Sequence, residues 1–302
     1  MKKITYIFFL FTFLGFSQKD KSQKIGQVKD DELKMKVYKN DSLAVAVVLY
    51  EHANTYLDPK EDFNFRTDYY YRIKILNKEG FDKANIEIPL YKKEKSKKIK
   101  AVTYNLDNDF TRKTFLKKEN IFNTKINDYW SETKFTLPNI KEGSVIEYIY
   151  SVISPYPGLD DWYFQSDIPK IKSEIDLSII GNYKYNIRIN GKLKLDKNNP
   201  SVKKNCLHIP GLGEGHCSVV SMGMNNIPAF KEEDYMLSKK NFISRLMFDY
   251  ISFTSPRGQV SKFTKTWEDA DKTLRLRYLD GQTSKKNFFK NKLPEEIINI
   301  EN

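Results

Sequence analysis

A mainly β fold is predicted for this chain: an antiparallel β-sandwich-like module or modules, with a short N-terminal helix and a C-terminal helical connector. Three observations carry the prediction. Between residues 43 and 255, short runs rich in β-branched and aromatic residues alternate polar and apolar with period two. Turn formers such as Asn77-Lys-Glu-Gly80, Lys141-Glu-Gly143 and Pro155-Tyr-Pro-Gly158 separate these runs. Helical patterning is confined to the two flanks.

The first eighteen residues, MKKITYIFFLFTFLGFSQ, place two lysines before an apolar run from Ile4 to Phe16 and a small-x-small end at Gly15 and Ser17. That run is shorter than the roughly 20 apolar residues of a membrane span, so residues 1–18 are expected to be a signal peptide rather than an anchor. No cysteine adjoins the cleavage site, which argues against lipoprotein processing. The expected location is therefore outside the cytoplasm, in the periplasm or cell envelope. Export removes nucleic acid as a partner for the net charge of +12 and for the cluster Lys92, Lys93, Lys95, Lys97 and Lys98. Envelope polysaccharide or lipid headgroups are left, beside the plainer reading of a solvated lysine surface.

Residues 19–29 are polar and lysine-rich, the composition of a flexible arm. DDELKMKVY, Asp30 to Tyr38, sets acidic residues ahead of Leu33, Met35 and Val37 and predicts a short helix. A β-rich domain is expected over 30–255, with a division into two sub-domains near 155–185 as one option. Its strands begin in LAVAVVLYE and DYYYRIKILN and run through SVIEYIYSVI, SEIDLSII and YNIRI. Asn190-Gly191, between YNIRI and KLKL, predicts a two-residue hairpin. Residues 256–302 form the helical connector: Thr266-Trp-Glu-Asp269 has capping-box form and opens a helix to Leu279.

Five separated segments, in order, carry a family resemblance: KNDSLAVAVVLYEHANTYLD, YYYRIKILNKEGFDKANIEIP, YWSETKFTLPNIKEGSVIEYIYSVISP, NNIPAFKEEDYM and FTKTWEDADKTLRLRYLDGQ. Together they resemble domain of unknown function 3857, a bacterial envelope module found N-terminal to transglutaminase-like domains. The resemblance implies a β-rich module whose helical connector leads into a papain-like domain with a Cys-His-Asp triad. None of those catalytic positions has a counterpart in this sequence, so no catalytic residue is assigned. The chain is expected to be truncated before that domain, with a transglutaminase-like domain as its partner in cis or in trans. The expected role is that of an exported accessory module, not an enzyme by itself, which positions the catalytic domain or its substrate. A stand-alone envelope module that binds glycan or peptide is the alternative.

Two groups of side chains invite chemistry. Cys206-Leu-His-Ile-Pro-Gly-Leu-Gly-Glu-Gly-His-Cys217 holds both cysteines and two of the three histidines. As a hairpin pairing Ile209 with His216, it gathers Cys206, His208 and Cys217 on one face, with His216 on the other, and suggests a metal or thiol site. A register slid by two sets Cys206 opposite Cys217 and permits a disulfide, which an oxidising compartment favours. Plain strand and turn residues are the third reading, with Gly211, Gly213 and Gly215 serving the turn. The second group, Tyr129, Trp130, Tyr156, Trp162 and Tyr163, offers stacking surfaces for sugar or simply fills the core. Asp160 and Asp161 are adjacent on one strand and cannot flank a glycosidic bond between them. His52, in YEHANTY, is read as a surface residue at a strand end. No cofactor is expected.

Overall fold

The structure, a computed structural model, describes residues 25–262 and 267–276. The expected signal peptide, the start of the expected arm, Thr266 and the segment beyond Leu276 lie outside the described residues. In chain order the elements are α1 (Asp30–Lys34), β1 (Ala46–Asp58), β2 (Asn64–Ile75), β3 (Asn85–Tyr91), β4 (Lys95–Asp107), β5 (Phe110–Phe115), β6 (Ile121–Lys125), β7 (Trp130–Thr136) and β8 (Val145–Ser154). There follow β9 (Trp162–Tyr163), β10 (Lys170–Ile180), β11 (Tyr183–Asn190), β12 (Lys197–Ile209), β13 (Gly213–Ile227), β14 (Arg245–Thr254), β15 (Val260–Lys262) and α2 (Trp267–Leu274). No helix of the described residues is long and apolar enough to cross a membrane.

The fold is mainly β and layered, as the alternation predicts. An eight-stranded sheet runs β12-β13-β10-β1-β2-β8-β4-β5. All its pairings are antiparallel except β1 with β10, which run parallel. Two smaller sheets, β3-β7-β6 and β11-β14-β15 with β9 on β14, pack against its inner face. Within residues 155–185, β9 joins the sheet of β14 and β10 joins the large sheet between β1 and β13, so one sheet holds strands from before and after that stretch.

β2 displays the logic of the sheet. Phe65, Tyr69, Tyr71, Ile73 and Ile75 point inward to the two cores, while Arg66, Asp68, Tyr70, Arg72 and Lys74 point outward. Inward tyrosines of β2 stack on those of β8, with Tyr69 and Tyr150 centroids 4.7 Å apart and Tyr71 and Tyr148 4.8 Å apart. β1 keeps the same two faces only because of a bulge at Leu49. Val48 pairs with Ile73 but Tyr50 with Arg72, so Ala46 and Val48 face inward before the bulge and Glu51, Ala53 and Leu57 after it. Inward-facing Glu51 is buried and paired, with Lys170 Nζ at 2.6 Å and Ser173 Oγ at 2.6 Å.

The predicted Asn190-Gly191 hairpin does not form: β11 pairs with β14, and the KLKL stretch is not a strand. Gly191 has φ +91, and a Cβ there would lie 2.6 Å from Ser244 Cα, so glycine is needed for a close backbone approach. Asn190 Nδ2 donates to the carbonyls of Lys240, Asn241 and Ile243, tying the end of β11 to the loop before β14. The helix expected over Asp30 to Tyr38 keeps to Asp30–Lys34, and Met35 is already extended.

Residues 25–38 lie across one half of the outer face. Leu33 and Tyr38 pack with Val47, Leu49, Val102, Tyr104 and Val145 in a third core. The last part of the expected arm is pinned by polar contacts. Glu147, fully buried, accepts hydrogen bonds from Gly26 N at 2.8 Å, Tyr70 Oη at 2.5 Å, Tyr104 Oη at 2.5 Å and Arg72 Nη2 at 2.7 Å. Arg72 also donates to Gln27 O and Glu32, and Lys74 Nζ donates to Leu33 O at 2.6 Å and Gly143 O at 2.5 Å.

Two outcomes follow from these buried charges. Glu147→Ala leaves Arg72 with Glu32 as its remaining carboxylate and takes the acceptor from the Tyr70 and Tyr104 hydroxyls, and is expected to cost about 3–5 kcal/mol in denaturant unfolding. Burial lowers the Lys74 ammonium from the ordinary 10.5 to about 8. Between those values the unfolded chain binds the proton that the folded chain has released, so this group makes stability rise with pH. Above about pH 10 the tyrosines held protonated by burial, Tyr70 and Tyr104 among them, act in the opposite sense. Unfolding measured from pH 7 to pH 10 should therefore gain stability in the native protein and lose that slope in Lys74→Met.

Candidate functional site

The half of the outer face not covered by residues 25–38 forms a groove of about 1190 Å³. Its floor is set by strand alternation, which turns His52, Asn54 and Tyr56 of β1, Asp68 of β2 and Asp176 of β10 to the same side. Two carboxylate-centred networks occupy it. Asp68 accepts from Tyr56 Oη at 3.0 Å, Arg66 Nε at 2.7 Å and Ser151 Oγ at 2.5 Å. Arg66 also donates to Asp58 at 2.9 Å. Burial works most strongly against the charge of Asp58, but the hydrogen bonds from Arg66 and from the Lys60 backbone N–H, together with the Arg66 charge, outweigh it and hold the carboxyl below its ordinary value. Burial, reinforced by the Asp68 charge, pushes the Tyr56 hydroxyl well up.

The second network joins His52, Asp176 and Ser221. His52 Nε2 stands 2.9 Å from Asp176 Oδ2, and Ser221 Oγ donates to the other oxygen of the same carboxylate. Burial opposes ionisation of Asp176, yet the hydrogen bonds from His52 and Ser221 prevail and its carboxyl is held below the ordinary value. An ionised carboxylate only accepts, so His52 Nε2 carries the proton. A nucleophilic triad needs the imidazole between serine and acid. Here the acid is central and Ser221 leans on the carboxylate, so the three groups do not stand in the order of a nucleophilic triad. His52 lies inside β1, not at a strand end, and its side chain is 20% exposed.

The β12–β13 hairpin borders the groove, and Cys206 and Cys217 join in a disulfide with Cα atoms 5.8 Å apart. Neither register considered from the sequence is the one adopted. Lys203 pairs with Cys217 and Leu207 with Gly215, so Lys204, Asn205 and Cys206 together oppose His216. This bulge, with Asn205 at φ 50, swings Cys206 beside Cys217. With both sulfurs in the disulfide there is no thiolate to ligate or attack. His208 Nδ1 pairs with Glu214 at 2.8 Å, and His216 Nδ1 accepts from Asn205 N at 3.1 Å. Among the described residues no group of three or more His, Cys, Asp or Glu is placed to hold a metal ion.

The five aromatics divide. Tyr129, Trp130 and Tyr156 gather with Tyr91: the Tyr91 ring lies 5.2 Å from Trp130 and 5.5 Å from Tyr156. Lys92 Nζ sits 5.0 Å from the Tyr129 centroid. Trp162 is 6% exposed in the core, donating Nε1 to Ser173. Tyr163 stands apart from both, its hydroxyl accepting from Arg245 at 2.9 Å.

Reduction of the disulfide, or the pair Cys206→Ala and Cys217→Ala, should lower stability by about 2–3 kcal/mol through the freed loop. The measurement is the denaturant midpoint with and without reductant, a difference that the double variant should lose.

Comparison with known proteins adds three findings. Among proteins of curated function, none matches the sequence. A crystal structure of a putative protease from Parabacteroides distasonis is similar in fold, with a TM-score of 0.54 and 14% identity. The match covers 69% of this chain and 41% of that one, so this chain spans less than half the length of that protein. The family model described as Domain of Unknown Function with solved-structure structure (DUF3857) matches residues 61–231, from β2 through β13. On that match, which takes in more than half of its residues, the chain belongs to the DUF3857 family.

Proposed function

We propose that this chain is an exported, non-catalytic accessory module that holds substrate for a transglutaminase-like domain, joined to it or supplied separately. The observation that carries the reading is the groove, a concave surface that sets a few polar side chains among apolar ones, while its Ser, His and Asp cluster is ordered for holding. Two further facts support it. In the P. distasonis protein, named a protease, the shared fold is less than half of the chain. In α2, Trp267, Ala270 and Leu274 fall on one helical face, with Trp267 91% exposed, an apolar surface suited to a neighbouring domain.

A stand-alone envelope-binding module is the second reading, favoured by the Tyr91, Tyr129, Trp130 and Tyr156 cluster on the far side of the large sheet.

The test is steady-state kinetics of a transglutaminase-like domain alone, fused to this chain, and mixed with it. The fusion should lower KM about tenfold with kcat unchanged, the signature of substrate held nearby. The mixture should show a smaller gain that Trp267→Ala abolishes. Identical KM and kcat in all three would refute the accessory role.

A further inference from the structure

We infer that the outer groove binds an extended acidic glycan, a chain of sugar rings bearing carboxylates. The inference rests on the reading of the groove as a substrate-holding surface and names what is held.

Three features point to this ligand. The first is the source of the binding groups. Every strand of the groove floor from β13 to β8 has a hydrogen-bonded neighbour on both sides, so the free sheet edge at β12 borders the groove and none runs along its floor. A polypeptide held through its main chain needs such an edge. This floor offers side chains only, the kind of contact that hydroxyl-rich rings accept.

The second is which side chains are free. The Asp68 and Asp176 carboxylates are engaged within the floor by tyrosine, arginine, histidine and serine donors. Between the two networks, half-buried Asn54 and Ser178 line the groove and make no side-chain hydrogen bond among the described residues. An amide and a hydroxyl in a partly dry site want partners, and each can both donate and accept, as sugar hydroxyls do.

The third is charge. The acidic groups of the floor are already paired, whereas Lys98 of β4 and Lys203 of β12 line the same groove, are exposed, and form no ion pair among the described residues. The strands carrying them are six spacings apart in the sheet, which at about 4.8 Å each puts them about 29 Å apart across it. Two cations so separated suit a long chain with repeated anionic groups better than a single sugar.

The experiment is calorimetric titration of the chain with an oligogalacturonate, with a neutral malto-oligosaccharide of equal length, and with oligoglutamate. Oligogalacturonate should bind, the neutral chain at least about tenfold more weakly, and affinity should fall with added salt. Lys98→Ala with Lys203→Ala changes exposed residues only and should weaken oligogalacturonate about tenfold without moving the melting curve. Asn54→Leu should weaken both glycans. Equal binding of neutral and acidic glycans, unchanged binding by the double lysine variant, oligoglutamate binding as tightly as the glycan, or no glycan binding would each overturn the inference. Glycan binding without any effect of the chain on the partner domain's KM would sink the accessory role and leave this inference standing. A KM effect without glycan binding would do the reverse.

Discussion

The buried carboxylate of Glu147 is the contact on which the arrangement of this molecule depends. An ionised group fully removed from water is tolerable only with close donors, and Glu147 has Tyr70, Tyr104, Arg72 and the backbone of Gly26. Three of these rise from the sheet itself. The fourth comes from the N-terminal segment, so satisfying the charge draws residues 25–38 across the outer face. That segment covers one half with apolar packing and stops there. The remaining half is left as the open groove, so one charge satisfaction decides which part of the outer face is covered and which part stays open.

Alternation made much of the fold legible. DYYYRIKIL reads as a strand with two unlike faces, and in the structure one face carries the tyrosine stack and the other Arg72 and Lys74. Where alternation was absent, less could be read. LAVAVVLY is apolar throughout because β1 is buried on both faces over Ala46 to Leu49, and the bulge that rephases it leaves no mark in composition. Asn190-Gly191 carries a hairpin signal for a different physical reason, the approach of Ser244.

The site was harder to read for a related reason. Its groups come from β1, β2, β4, β8, β10, β12 and β13, and only the strand order brings them together. His52 looked unremarkable because Asp176, its partner, lies 124 residues away. The aromatic group was partly visible: Tyr129 and Trp130 are neighbours in sequence, but Tyr91 and Lys92 join them only through the pairing of β3 with β7. Trp162 was indistinguishable from these by composition. Its burial follows from the place of β9 on the edge of β14, over the large sheet.

The parallel pairing of β1 with β10 also has a bearing on how the chain matures. β1 sits near the middle of the large sheet, yet one of its two neighbours is separated from it by more than a hundred residues, as the 119-residue span from Glu51 to Lys170 indicates. β1 and β2 can form a hairpin early, because their link is short. Closing the other side of β1 must wait for residues 170–180 and bears the entropy of a long loop. A chain emerging N-terminus first therefore carries β1 with one open edge through much of its synthesis. The groove, whose floor crosses that late seam, is among the last features to exist.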